Sequence, residues 1–294
     1  FGQTSLRYNT TGTYNSAIGK EALYSNTTGN QNTAGGQQAM YSNNTGYENT
    51  ALGCGSLYSN TTGDQNTAVG RHALALNTTG TRNTAMGYQS LEENTTGQYN
   101  TAFGQTALQE TTTANHNTGM SYLALGANTT GGNNTAIGSM ALRTNTTANN
   151  NTAVGYSALY TNTTGHSNIA VGYEALKSNT TADDNNAMGY RALYSNTTGD
   201  SNTAVGHQAL YLNTTASDNS ALGYKAMYSN TTGSSHVAIG HEALSANTTG
   251  VASVAVGRYA LQDNTTASHN TALGYVSLQN ATTGGYNTTI GSLS

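Results

Sequence analysis

Few residues in this sequence have the types and spacing that acid–base catalysis requires. Acidic residues are adjacent at only two places, Glu92-Glu93 and Asp183-Asp184. A catalytic carboxylate pair needs two acids held in different environments, whereas neighbouring acids on an exposed turn both face solvent. We therefore expect no acid–base site and no enzymatic activity.

The seven histidines and the single cysteine do not form a metal-binding or nucleophilic motif. His207 and His241 lie two repeats apart in the array described below, about 10 Å at strand spacing, which is too far for both to bind one metal ion. We expect them to be surface histidines. Cys54 has no paired histidine, so we expect an incidental thiol and no intrachain disulfide. The glycines form no phosphate-binding loop, and no cofactor is predicted.

Tyrosine is the residue type best placed to form a binding surface. Fourteen of the twenty tyrosines fall on two positions of the repeat. Rings that recur on successive coils are rigid and amphipathic, and could bind a glycan or another protein. The alternative is that they stabilise the stack of strands. The candidate surface-binding stripe consists of Tyr156, Tyr173, Tyr190, Tyr194, Tyr211 and Tyr228.

A 17-residue repeat positions all of these side chains. Sixteen full repeats run from residue 15 to residue 286 without an insertion, with partial repeats at both ends, so each repeat forms one turn of a continuous structure. This length is too short for helical-hairpin or leucine-rich repeats, which need at least about 20 residues. Short segments such as Thr152-Ala153-Val154, bounded by Asn and Gly, predict strands.

We therefore predict an all-β fold, a parallel β-solenoid (β-roll or β-helix) of about 17 coils stacked at about 4.8 Å. Residues 1–294 are predicted to form a single continuous solenoid, a rod of roughly 80 Å. The chain begins at Phe1, and a solenoid end exposes unpaired strand edges. We expect further protein beyond the first and last coils.

The repeat positions, numbered 1 to 17 with Asn15 at position 1, divide into constrained and variable columns. Position 4 is apolar in all but one copy (Gly35) and position 9 is always Leu or Met, so both are predicted to form the core. Position 3, mostly Ala, should then face outward by the alternation of strand side chains. It would either contact a second copy of the chain or fit a tight turn. Gly at position 5 predicts a corner with positive φ, and Asn at position 1 and Thr at position 14 predict side-chain ladders.

Charge and hydropathy exclude several function classes. Only 7% of the residues are charged, the net charge is −4, and all 22 charged residues fall at positions 6, 7, 10, 11, 16 and 17. These positions are predicted to be the solvated surface. The absence of a charge run argues against nucleic-acid or anionic-membrane binding. No apolar stretch in these residues reaches the length of a membrane span, and we recognise no signal-peptide pattern among them, so we expect neither element here.

Two strings carry a resemblance to a known family. Val237-Ala238-Ile239-Gly240 and Val254-Ala255-Val256-Gly257 resemble the S-V-A-I-G repeat of trimeric autotransporter adhesin heads, although the adhesin repeat is shorter. The commoner form, N-T-A-V-G-Y-x-A-L-x-x-N-T-T-G, resembles repeat regions of bacteriophage tail-fibre-like and bacterial surface proteins. The resemblance implies a left-handed coil, association of three chains and an extracellular, cell-surface or virion-surface location. It carries no catalytic residue.

The sequence thus favours a non-enzymatic structural rod of an extracellular fibre that mediates attachment, either a phage tail fibre or a bacterial surface adhesin. We expect self-association, as a homotrimer or by end-to-end stacking, and contact with a host surface glycan or protein. The alternative is an ice-binding β-solenoid that uses Thr arrays, although adjacent residues such as Thr163-Thr164 would point to opposite sides. The N-x-[ST] sequons, for example at Asn26, Asn60 and Asn162, are expected to be unmodified because the same columns form ladders and the resemblance is bacterial or viral.

Overall fold

The computed structural model describes residues 2–294 and confirms a parallel β-solenoid. Each coil contributes one three-residue strand at repeat positions 2 to 4. Within residues 2–294 there is no helix, so no helical segment there could cross a membrane. The strands are β1 (Ser16–Ile18), β2 (Thr33–Gly35), β3 (Thr50–Leu52), β4 (Thr67–Val69), β5 (Thr84–Met86), β6 (Thr101–Phe103), β7 (Thr118–Met120), β8 (Thr135–Ile137), β9 (Thr152–Val154), β10 (Ile169–Val171), β11 (Asn186–Met188), β12 (Thr203–Val205), β13 (Ser220–Leu222), β14 (Val237–Ile239), β15 (Val254–Val256), β16 (Thr271–Leu273) and β17 (Thr288–Ile290).

The chain forms two compact units, one up to Asn149 and the other from Asn150 to Ser294. The first contains β1 to β8 and the second β9 to β17. Within each unit, neighbouring strands pair in parallel and in exact register, so that Ala51 lies beside Ala68 in the first unit and Ala153 beside Ala170 in the second. Each repeat position therefore forms a column of equivalent residues, one per coil.

The predicted orientation of the strand is wrong: position 3 faces the interior and position 4 faces outward. Ala153 at position 3 is fully buried, and so are nearly all of its equivalents on other coils. Leu52 and Phe103 at position 4, in contrast, are 44% and 52% exposed. The alternation of side chains holds, but the assigned face was the opposite one. Both interpretations of an outward Ala column, a contact with a second chain and a second tight turn, are thereby removed.

The interior is narrow, which explains why Ala occupies it. Position 9 is buried as predicted, and position 8, mostly Ala, is also buried. At Gly119, which replaces Ala at position 3, an added Cβ would lie 3.1 Å from Leu108 Cγ. The Ala column therefore packs directly against the Leu column of position 9. A residue as large as those at position 4, such as Leu52 or Phe103, would overlap that column, so the larger apolar residues of the strand lie outside.

The corners depend on backbone with positive φ. Gly at position 5 has φ between 128° and 146°, as predicted, and a Cβ at Gly19 would lie 2.5 Å from the carbonyl oxygen of Gly36 on the next coil. Positions 7, 9 and 17 also have positive φ without being glycine; Leu57, for example, has φ 49°. A leucine in this region costs about 1 to 2 kcal/mol, so the packing of the stack must hold the conformation.

Two columns of buried asparagine satisfy the polar backbone of the interior. At position 1, the Asn66 backbone N–H donates to Asn49 Oδ1 (2.9 Å) and Asn66 Nδ2 donates to the Gly80 carbonyl (2.8 Å). At position 12, Asn60 Nδ2 donates to Asn43 Oδ1 (2.8 Å). The position 1 ladder was predicted explicitly, and the position 12 asparagines were expected to lie in ladder-forming columns as part of the sequons.

The predicted threonine ladder lies one residue away from its expected place. Thr62 and its equivalents at position 14 are exposed. It is the position 13 hydroxyl that links coils, as where Thr61 Oγ1 donates to the Thr78 carbonyl (3.0 Å). The backbone N–H groups of Thr61 and Thr62 both donate to the Thr78 carbonyl, but only the position 13 hydroxyl also reaches it, while the position 14 side chain is exposed.

Candidate functional site: aromatic ladders and the outward strand face

Aromatic side chains at position 6 stack on one another along the second unit. The ring centroids are 4.9 to 5.4 Å apart and the interplanar angles are 10° to 24°. Parallel, in-register strands impose this spacing, because each coil places its position 6 residue directly over the previous one. We call this set the position 6 ladder; it consists of Tyr156, Tyr173, Tyr190, His207, Tyr224 and His241.

Position 10 forms a second kind of ladder. In the second unit Tyr194, Tyr211 and Tyr228 stack with centroids 5.2 Å apart. In the first unit the rings of Tyr24, Tyr41 and Tyr58 are almost parallel, at 3° and 6°. All six residues of the predicted surface-binding stripe thus belong to stacked ladders.

Stacking determines which parts of the rings are available. An inner ring such as Tyr173 has both faces covered by its neighbours, so its exposed parts are the ring edge and the hydroxyl. A sugar that packs on an aromatic face could reach only the end of a ladder. Binding of glycan or protein by the stripe stays a prediction, and its recognition would use hydroxyls and ring edges.

A cluster of ion pairs around one buried carboxylate lies beside these ladders. Glu174 at position 7 is only 5% exposed, which corrects the prediction that every charged position is solvated. Lys177 Nζ and Arg191 Nε donate to its two carboxylate oxygens at 2.6 and 2.7 Å. Burial by itself would raise the pKa of Glu174, but these two hydrogen bonds hold it below its ordinary value. The Arg191 guanidinium also lies over the Tyr190 ring, 5.2 Å from the centroid.

His236 replaces Asn in the position 1 ladder and is fully buried. Its Nδ1 accepts a hydrogen bond from the Ser253 backbone N–H (3.0 Å), and its Nε2 contacts the Gly250 carbonyl. An accepting Nδ1 and a donating Nε2 define one neutral tautomer. Burial lowers the pKa of His236. This histidine is therefore part of the interior hydrogen-bond network and is not on the surface.

Among residues 2–294, no cluster of three potential metal ligands was found. The Tyr224 ring lies between His207 and His241, which keeps the two imidazoles apart as predicted. Cys54 is exposed at the edge of a cavity of about 250 Å³. The cavity exists because Gly55 provides no side chain at position 7. Its other lining residues are Gln38, Tyr58, His72, Ala75 and Leu76.

The outward strand face is a second candidate surface. We define it as the side chains at positions 2 and 4 of every strand. No charged residue occurs at either position, and position 4 is apolar in every strand from β3 to β16. Position 2 is mostly Thr. Members of the face that are at least 40% exposed include Ile18, Leu52, Phe103, Ile137, Ile169, Met188, Leu222, Ile239 and Leu273.

The sequon asparagines are inaccessible in the folded chain. Asn60 is fully buried, and its Nδ2, the atom that would carry a glycan, donates to Asn43 Oδ1 and to the Gly63 carbonyl. Asn26 and Asn162 are equally buried. A glycan at any of these atoms would require the coil to open.

Comparison with protein-family models and with curated proteins gave no match. The two histidines of the position 6 ladder were not predicted as part of the stripe. Their signal was present in the sequence, because they share the repeat position of Tyr156 and lie on the coils that follow Tyr190.

Proposed function

We propose that this chain is a non-enzymatic structural segment of an extracellular fibre, a phage tail fibre or a bacterial surface adhesin that mediates attachment, and that copies associate through the outward strand face. The main support for this proposal is that the apolar side chains at position 4 face outward. Large apolar patches on soluble proteins are typical of contact surfaces, and this column is apolar on every coil except that of β2, which has Gly35.

A second copy of the chain is the partner that fits this face best. Within the second unit, two copies aligned in parallel place an apolar residue against an apolar residue at every coil, without any charge to desolvate. Each coil offers a strip of about 10 by 4.8 Å, or roughly 50 Å². Within the second unit alone, the nine strands β9 to β17 would supply about 450 Å² per partner, which is the size of a small interface. In the homotrimer that the resemblance implies, three such faces would meet around a common axis, and each face would be shared between two partners.

Sedimentation equilibrium of the chain and two variants tests this proposal. The strand-face variant carries Val154→Lys, Val171→Lys and Val205→Lys. The control adds the same three charges at exposed position 17, as Ser167→Lys, Ser201→Lys and Ser235→Lys, a position that already holds Arg82. We expect trimers for the chain and the control, and monomers for the strand-face variant, with unchanged circular dichroism.

A monomeric parent chain at micromolar concentration would contradict the proposal. So would a strand-face variant that keeps the oligomeric mass, because three desolvated lysines at the centre of an interface are not tolerated.

One observation favours ice binding as a second candidate: Thr at position 2 forms an outward column on a regular sheet, as at Thr67, Thr84 and Thr101. The other outward residue of each strand, at position 4, is apolar, so the face offers one column of hydroxyls instead of two. The position 13 hydroxyls are already bonded to the next coil. An ice-recrystallisation assay tests this function, and absence of inhibition would remove it.

A further inference from the structure

Stacked tyrosines differ from single tyrosines of equal exposure. Tyr156, Tyr173 and Tyr190 have their rings in contact on three successive coils, with centroids 5.3 and 5.4 Å apart. Tyr122 is as exposed as Tyr173, 46% against 44%, and occupies the same repeat position. Its neighbours in the column are Gln105 and Ser139. The same side chain therefore occurs with and without a stacked phenol.

We propose that the stacked tyrosines are sites of oxidative coupling, in which a one-electron oxidant links neighbouring coils through dityrosine. The oxidant class is a haem peroxidase with hydrogen peroxide. Two phenols each lose one electron to the oxidant and one proton to water, which leaves two phenoxyl radicals. A carbon–carbon bond forms between the two ring carbons ortho to the hydroxyls. Each of these carbons then loses its hydrogen as a proton while the phenol is restored, and hydrogen peroxide is reduced to two molecules of water.

The geometry brings the reacting carbons together before oxidation. In nearly parallel, in-register rings, corresponding atoms are separated by the same vector as the centroids. The ortho carbons of Tyr173 and Tyr190 therefore face each other across about 5 Å. Rotation of exposed side chains closes this gap without a change in the backbone, and holding the two reactants side by side replaces a bimolecular encounter. The oxidant reaches the exposed ring edges.

The ladders set the extent of the coupling. In the position 6 ladder, the run of phenols ends at His207, because imidazole cannot form the phenoxyl radical. In the position 10 ladder of the second unit, the run is Tyr194, Tyr211 and Tyr228. Coupling would join residues 17 apart in sequence and so staple adjacent coils covalently. Such staples would oppose unwinding of the solenoid, as disulfides do in other folds.

Tryptic peptides identify the linked residues directly. Cleavage after Lys177 and Arg191 releases residues 178–191, in which Tyr190 is the one tyrosine, and separates them from residues 144–177, which contain Tyr173. Cleavage after Lys225 and Arg258 likewise isolates Tyr228 in residues 226–258. The full chain is oxidised with peroxidase and hydrogen peroxide at low concentration, unfolded, digested and analysed by mass spectrometry.

We expect residues 144–177 joined to 178–191, and residues 192–225 joined to 226–258, each product two hydrogens lighter than the sum of its peptides. Both should be at least about tenfold more abundant than in chain oxidised after unfolding in urea, and about tenfold dilution should leave their yield unchanged. Tyr173→Phe, which keeps the stacked ring, should remove the first product and retain the second as an internal standard.

Three results would overturn the proposal. The first is neighbouring-coil products no more abundant than in the unfolded chain. The second is products that pair tyrosines from distant coils, such as Tyr190 with Tyr275, at similar yield. The third is that the first product persists in the Tyr173→Phe variant, with Tyr190 linked to another tyrosine in residues 144–177. That result would show that stacking does not determine which tyrosines are coupled.

Discussion

Replacing Thr111 with Asn should stabilise the first unit by repairing a break in its position 12 ladder. Asn26, Asn43, Asn60, Asn77 and Asn94 each donate from Nδ2 to the Oδ1 of the preceding ladder residue at 2.7 to 2.8 Å. Thr111 occupies the next place in this column. Its Oγ1 and the Asn94 Oδ1 are buried, and neither has a hydrogen-bond partner.

The size of the effect follows from the bonds that asparagine would add. Its Nδ2 could donate to Asn94 Oδ1, and its Oδ1 could accept from Asn128, whose Nδ2 now donates to the Gly131 carbonyl. Two added hydrogen bonds contribute about 0.5 to 1.5 kcal/mol each, and an unsatisfied buried acceptor costs about 1 to 3 kcal/mol. Allowing for ordering of the longer side chain, we expect the free energy of unfolding to rise by about 1 to 3 kcal/mol.

Urea denaturation followed by circular dichroism, with hydrogen exchange over residues 95–130, measures this change. Thr113→Asn, at exposed position 14, is the matched control and should stay within about 0.5 kcal/mol of the parent. Asn60→Thr introduces the same break into an intact part of the ladder and should lower stability by a similar amount. Equal stability of T111N and the parent, or a gain in T113N as well, would refute the amide-ladder reasoning.

Two further predictions concern pH. Burial lowers the pKa of His236 in the folded chain, so the unfolded chain binds more protons below about pH 6.5. The free energy of unfolding should therefore fall on acidification by up to about 1.4 kcal/mol per pH unit. The H236N variant, which restores the ladder residue, should remove this component in denaturation curves measured between pH 5 and 8. The pKa of Glu174 is held below its ordinary value, so its ion pairs stabilise the fold above about pH 4.5 and lose their effect as pH falls. E174Q should therefore cost about 1 to 2 kcal/mol at pH 7 and little at low pH, and a cost independent of pH would contradict this assignment.

The repeat architecture was predictable because an array without insertions leaves few alternatives. The 17-residue period, the Gly corners and the short β-branched segments all indicated one strand per coil, and each is confirmed. The stacking of Tyr156, Tyr173 and Tyr190 followed from their common repeat position. These features follow from the period together with the residue types at each repeat position.

The inner face of the strand could not be assigned from the pattern. Alternation shows that positions 3 and 4 face opposite sides, but does not say which side is inside. Assigning the more apolar column to the core fails here because the interior is only wide enough for Ala against Leu, as Gly119 and Leu108 show. The buried Glu174 was missed for a related reason: its carboxylate pairs with Lys177, three residues along the chain, and also with Arg191, which comes close only when the coils stack.

The inward Ala column and the outward apolar column are the basis of the account, and thiol labelling tests them most directly. In a Cys54→Ser background, cysteine is placed at adjacent residues as Leu52→Cys or Ala51→Cys, and the rate of reaction with a small thiol reagent is measured. We predict that L52C reacts as an exposed thiol and A51C at least about a hundredfold more slowly, since access to an interior thiol requires local opening of about 3 kcal/mol or more. Equal rates, or faster reaction of A51C, would contradict the orientation of the strand and the self-association proposed from it.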